Sequence, residues 1–230
     1  MEHADITERF IAAVYPRAEI AVIAGSTARG ERTATSDIDL LLIGDALFDD
    51  EAQLSAAATH AFEGEIFEVF AYRPEGFADW ADRGIRQHRP VIVHMLVEGL
   101  PIRVSPSLDS LRAHWSAVLS AGPTLDASES AFRRYVITDL LDDLRDATDP
   151  LEQRVVSAML FERIAELMLL AGGRWIGTGK WLPRRLRDLS RERAELLSAP
   201  LLAGDLSTFA ERVEAELSRA GGRVQAGFVR

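Results

Sequence analysis

What most constrains the fold of this chain is a change of texture at Ser105-Pro106. Before it, short aliphatic runs alternate with longer mixed segments; after it, only long amphipathic stretches remain. Short β-branched or aliphatic runs bounded by polar residues read as strands, and apolar residues at a period near 3.6 read as helices. Strands are expected at Glu19 to Ala24 (EIAVIA), Ile38 to Ile43 (IDLLLI), Ile66 to Tyr72 (IFEVFAY) and Leu100 to Val104. Helices are expected between them at Ile6 to Tyr15, Asp50 to Phe62 and Phe77 to about Gln87.

In the second half, Ala131, Tyr135, Thr138, Leu141 and Leu144 mark one face of a helix over Asp126 to Thr148. Asp149-Pro150 supplies an N-cap followed by proline at the first helical position, and Gly172-Gly173 a stop. Two more helices are expected at Pro183 to Ser198 and Leu206 to Ala220. The fold class is therefore α+β. A mixed-sheet domain over residues 1–108 precedes a helical bundle over 109–230.

Composition removes several function classes. With 47% hydrophobic and 27% charged residues, the chain is neither fibrous nor disordered. No apolar run approaches the ~20 residues that span a bilayer, so no membrane partner is expected. The first ten residues carry Glu2, Asp5 and Glu8 instead of a basic stretch before an apolar one, so a secretory signal is not expected and a cytoplasmic location is. The absence of cysteine excludes disulfides, thiolate nucleophiles and cysteine-ligated zinc. The net charge of −10 sits wholly in the first half: residues 1–110 hold 9 arginines against 19 acidic residues, and the remainder is balanced at 17 each. Nonspecific nucleic-acid binding uses a basic surface, so no nucleic-acid partner is expected. A small cationic ligand, or an anion bridged by metal, suits the charge better.

The chemistry is concentrated in Ala24 to Ile43, AGSTARGERTATSDIDLLLI. One strand ends in Gly25-Ser26; a polar loop leads to Ser36-Asp37-Ile38-Asp39, which opens the next strand. Asp37 and Asp39 are two apart in extended chain, so both carboxylates project from one face. Such a pair can hold Mg²⁺, which takes oxygen ligands and keeps sites open for substrate phosphates. Gly25 permits close backbone approach, and Ser26 offers a hydroxyl and an amide at the start of a helical turn, groups that suit a phosphate.

Gly25-Ser26, ten residues, then Asp37-Ile38-Asp39-Leu40 resembles the signature of the polymerase-β-type nucleotidyltransferase superfamily. The small bacterial nucleotidyltransferases are the nearest match, including aminoglycoside nucleotidyltransferases of the kanamycin type. The signature covers about twenty residues, and the helical half, residues 109–230, more faintly resembles the substrate-binding helical domain of those enzymes. The resemblance implies a third carboxylate on a neighbouring strand. Glu68 is the candidate, since it sits amid apolar residues where a carboxylate needs a partner; Glu65 and Glu63, before the strand, are weaker alternatives. It also implies an arginine near the nucleotide phosphates, for which Arg29 stands three residues after Ser26 and Arg32 competes. Ser36 joins Gly25, Ser26 and Arg29 as a nucleotide-side residue. Lys180 is the single lysine in the chain, placed in the flexible run Gly177-Thr178-Gly179-Lys180-Trp181, and a compact ammonium there suits the triphosphate.

The reaction so implied is Mg²⁺-dependent transfer of a nucleoside monophosphate from ATP or another nucleoside triphosphate to a hydroxyl of a small acceptor. Two metal ions are expected, with Asp37, Asp39 and Glu68 as ligands and catalytic groups, and the acceptor in a cleft between the domains. Two alternatives stand: an antitoxin-like regulatory enzyme that modifies a protein partner, and a nucleotide-binding protein without turnover. Glu162 with Glu166, and Asp139 with Asp143, are each one helical turn apart; any of them could supply a general base, and each reads first as part of a solvated helix face. The five histidines lack metal-ligand spacing and receive no catalytic role.

Overall fold

The computed structural model describes residues 2–225. Met1 and residues 226–230, at the ends of the two expected domains, lie outside the described residues. The chain is of the α+β class and divides into two compact units, Met1–Ala121 and Gly122–Arg230. The division follows a helix at Leu108–Ala121, whose Leu108 and Trp115 are buried in the core of the first unit.

In the first unit the elements run α1 (Glu2–Val14), β1 (Ile20–Ile23), α2 (Gly25–Ala28), β2 (Ile38–Ile43), β3 (Ser55–Phe62), β4 (Glu65–Tyr72), α3 (Pro74–Arg86), α4 (Val91–Glu98), β5 (Leu100–Arg103) and α5 (Leu108–Ala121). The strands form one mixed sheet in the order β3-β4-β2-β1-β5, with β2 and β4 parallel and the other pairs antiparallel. Residues alternate between the two faces of a strand. Leu40, Leu42, Phe67, Val69 and Ala71 therefore pack on one face with Phe10 and Ile11 of α1. On the other face Leu41, Ile43 and Tyr72 meet Phe77 and Ala81 of α3 and Leu96 of α4. Burying the leucine, isoleucine, valine and phenylalanine side chains among these supplies on the order of 1.5–3 kcal/mol each.

Two sequence expectations are corrected, the first at residues 50–62. Residues 50–62 contain no helix; they are a loop and then β3. Alanine-rich Ser55–Phe62 has helical propensity, yet its pairing with β4 from Ser55↔Tyr72 to Phe62↔Glu65 overrides it. The hairpin turns at Glu63-Gly64, both with positive φ (47° and 84°), the conformation that tight hairpin loops favour. The loop before β3 is held by Arg73, whose guanidinium donates to the carbonyls of Asp45, Phe48, Asp50 and Gln53.

The second unit holds α6 (Ala127–Asp146), α7 (Pro150–Ala171), α8 (Trp181–Leu189), α9 (Arg191–Ala203) and α10 (Leu206–Arg219). Asp126 and Asp149 cap α6 and α7 by accepting backbone N–H bonds, as their positions before the apolar periodicity require. The expected helix over 183–198 is two helices. Ser190 is extended and accepts a bond from the Arg193 amide, which starts α9 afresh. Ile137, Leu141, Leu160, Ile164, Leu186, Phe209 and Val213 form this unit's core.

Candidate active site

β1 ends at Ile23, and the chain enters the short helix α2 at Gly25 with φ of +64°. The Ala24 amide donates to the Asp39 carbonyl at 2.8 Å, which ties the end of β1 to the start of β2. A Cβ on Gly25 would lie 1.7 Å from Asp39 Oδ2 and 2.7 Å from Asp39 Cγ. Only a residue without a side chain fits at this conformation and this approach. The Gly25 backbone is thus one wall of the Asp39 carboxylate.

Parallel pairing of β2 with β4 sets Asp39 beside Glu68. Asp37, one residue before β2, is held where its carbonyl accepts from Thr27 Oγ1 at 3.3 Å. The three residues are half-buried, and one carboxylate oxygen from each lies within 4.8 Å of the others. Three like charges at that spacing repel unless a cation or protons offset them. Their oxygen-only donor set is the kind that hard divalent cations take, so the residues present fit Mg²⁺. Glu68 is less enclosed than the apolar run around it implies. Phe67 and Val69 point to the α1 face, while Ile66 on the Glu68 face is 46% exposed.

The other expected site residues fall as follows. Ser26 is half-buried in the first turn of α2, and Arg29 follows that helix as its C-cap, within 3.1 Å of Glu31. Arg32 is occupied as a brace: it donates to the Ser36 carbonyl at 2.7 Å and pairs with the Glu65 carboxylate. Arg32 holds Glu65 below the usual carboxylate range, and Glu65 in turn raises Arg32. Glu65 points away from the Glu68 face, and Glu63 is paired with Arg9 at 2.5 Å. The Ser36 hydroxyl accepts from the Thr33 amide at 2.9 Å, so it closes the loop ahead of Asp37.

Lys180 belongs to the second unit, exposed at the start of α8 after Gly179, whose φ is +51°. Asp139, Asp143 and Glu162 are exposed on their helices as expected, but Glu166 is only 1% exposed. It is gripped by Arg133 at 3.3 Å and Arg163 at 3.2 Å, because its helix face turns into the second core. The one-turn spacing from Glu162 could not reveal that difference.

Residues 7–74 match the family model described as a nucleotidyltransferase domain. The first unit therefore carries a nucleotidyltransferase domain of the polymerase-β-type superfamily, and the matched stretch contains Asp37, Asp39 and Glu68. No curated protein matches the sequence. Among solved structures, a nucleotidyltransferase-like protein from Exiguobacterium sibiricum 255-15 is similar at 15% identity. That likeness covers 95% of this chain and 74% of that one, with a TM-score of 0.47. Among the described residues, no helix is long and apolar enough to cross a membrane.

Proposed function

We propose that this chain, with its nucleotidyltransferase domain at residues 7–74, moves AMP from ATP to a hydroxyl of a small acceptor in the cytoplasm and releases pyrophosphate. The observation that carries the reading is the convergence of Asp37, Asp39 and Glu68 beside the bare backbone of Gly25. Asp37, Asp39 and Glu68 are the residues that would hold Mg²⁺. Bound there, the metal would neutralise triphosphate charge and favour in-line displacement.

The chain's own groups do the rest. Asp39 is kept in place by the Gly25 wall, and Asp37 by the loop that Arg32 and Ser36 close. Ser26 and Arg29 flank the same strand end and serve the phosphates. The acceptor oxygen attacks the α-phosphorus; its new bond to phosphorus forms as the α–β bridging bond breaks. The bonding pair leaves with pyrophosphate, and the acceptor proton passes to Glu68 or through it to water. Charge alone favours a cationic acceptor such as an aminoglycoside, because the first half holds 19 acidic residues against 9 arginines.

The test is incubation with labelled nucleoside triphosphates, Mg²⁺ and a panel of hydroxylated acceptors, following pyrophosphate. Release that needs both acceptor and Mg²⁺, and that Asp39→Asn abolishes, is expected. Equal Mg·ATP affinity in Asp39→Asn and the parent would overturn the metal-site argument.

A further inference from the structure

The face of the sheet that carries the acidic trio continues past Glu68 and is left open. Asp39 pairs with Glu68, and Glu68 pairs in turn with Thr59 of the edge strand β3, so the three form one row across the sheet. Directly opposed residues project to the same side. Helices α3 and α4 cover this side over Leu41, Ile43 and Tyr72, and the cover ends there. Beyond it Ala57, Thr59 and Ala61 of β3 are exposed, and Ile66 of β4 is 46% exposed. The opposite side is closed, with Phe67 fully buried against Phe10 and with His60 bonded to Tyr15 at 3.0 Å. One side of a half-exposed sheet is normally polar. Here the open side of β3 and β4 has Glu68 as its single charged residue; the rest are Ser55, Ala57, Thr59, Ala61, Ile66 and Phe70, and Tyr72 lies under the helices. Trp80 of α3 bounds it at one end, 45% exposed and donating from its indole N–H to Ser55 Oγ at 3.2 Å.

We propose that this shelf is the acceptor subsite, that Thr59 positions the attacking hydroxyl beside Glu68, and that the acceptor presents an uncharged, partly apolar face there. The inference rests on the transferase reading above and names its substrate class. Three features carry it. The shelf is continuous with the row of carboxylates. Thr59 stands one strand spacing from Glu68, about 5 Å between Cβ atoms. The small side chains on either side of Thr59 leave space for a ring. With Asp37, Asp39 and Glu68 committed to the metal, an ammonium laid on the rest of the shelf loses water and gains no free carboxylate, whereas an apolar face gains from burial. The contact surface thus argues for a different acceptor from the one that net charge suggests. Charge acts at range and is screened by salt; lining acts at contact.

The experiment measures AMP transfer by the full chain to benzyl alcohol, a methyl glucoside and the polyaminated sugar neamine, with Mg·ATP affinity followed by calorimetry. The neutral acceptors are expected to exceed neamine in kcat/KM by about tenfold. Thr59→Val should raise the neutral-acceptor KM about fivefold with kcat nearly unchanged, and Thr59→Ser should restore it. Ala61→Asp and Ala57→Asp should each shift preference toward neamine by about tenfold, with parental ATP affinity. Neamine matching or exceeding the neutral probes, no transfer to any neutral probe while Mg·ATP binds, or parental KM in all the variants overturns the proposal. A parent that does not bind Mg·ATP overturns the transferase reading itself, and the subsite with it.

Discussion

Replacing Gly25 by alanine tests the most specific feature of the site. Two penalties can be separated. The first is backbone strain, since φ is +64° at Gly25 and an L-residue there costs about 1–2 kcal/mol. The second is steric. The new Cβ would meet Asp39 Oδ2 at 1.7 Å, so the carboxylate must retreat by more than 1 Å to reach ordinary contact, ~3.5 Å. A misplacement of ~1 Å at a catalytic group costs about 10²-fold in rate, roughly 2.7 kcal/mol. Gly30→Ala is the control: its φ is +70°, yet an added Cβ there meets nothing within 4 Å. Both variants should lose a similar few degrees of thermal stability. Only Gly25→Ala should also lose Mg·ATP affinity and about 10²-fold in turnover. Calorimetric titration, steady-state pyrophosphate release and thermal melts of the pair decide it. Parental turnover in Gly25→Ala, or an equal fall in Gly30→Ala, refutes the claim that Gly25 walls the Asp39 carboxylate.

Three further outcomes are expected. Glu68→Gln should keep the fold and remove most turnover, and it should not lower the melting temperature of the metal-free protein, because one of three crowded carboxylates is neutralised; parental turnover would leave Glu68 an edge residue. Arg32 holds Glu65 below its ordinary value of 4.5, so the pair contributes stability above that pH and loses it as pH falls through the lower folded value. Melts between pH 6 and 3 should therefore steepen in the parent relative to Glu65→Gln, and parallel curves would contradict the assignment. Lys180→Ala should weaken ATP binding or turnover about tenfold, ~1.4 kcal/mol, with Lys180→Arg restoring part of it; parental kinetics in both would leave the 177–180 loop a connection.

Local signals were legible in the sequence where the physics is local. The aspartate cap of α7, the buried runs of β1 and β2, and the parity that puts Asp37 and Asp39 on one side all lie within a few residues of their cause. β3 was not, because an alanine-rich segment becomes a strand only through a partner. The signal that could have found it is Glu63-Gly64, a two-residue connection between Phe62 and Glu65. α4 was hidden for the opposite reason: VIVHMLVE opens on three β-branched residues and is mostly apolar, yet it is a helix whose Ile92, Val93, Met95 and Leu96 are buried in the core. Reading 50–62 as a helix also concealed Thr59. A residue's place beside Glu68 cannot be inferred while its strand is unknown.

The acidic trio is a by-product of register, and register is fixed by the core. Asp39 meets Glu68 only because Ile38 pairs with Phe67 and Leu40 with Val69, all four fully buried. A slip of one residue would turn Glu68 toward α1 and expose Phe67 and Val69, since successive side chains face opposite ways. Phe67 stacks on Phe10 with ring centroids 4.2 Å apart, so the slip would also break an aromatic contact with α1. Helix α1, packed on the face opposite the acidic trio, thus selects the pairing that brings the three carboxylates together. Gly25 completes the arrangement from the other side, where only backbone can approach Asp39. The site is therefore specified twice, by apolar packing beneath the sheet and by the absence of a side chain above it.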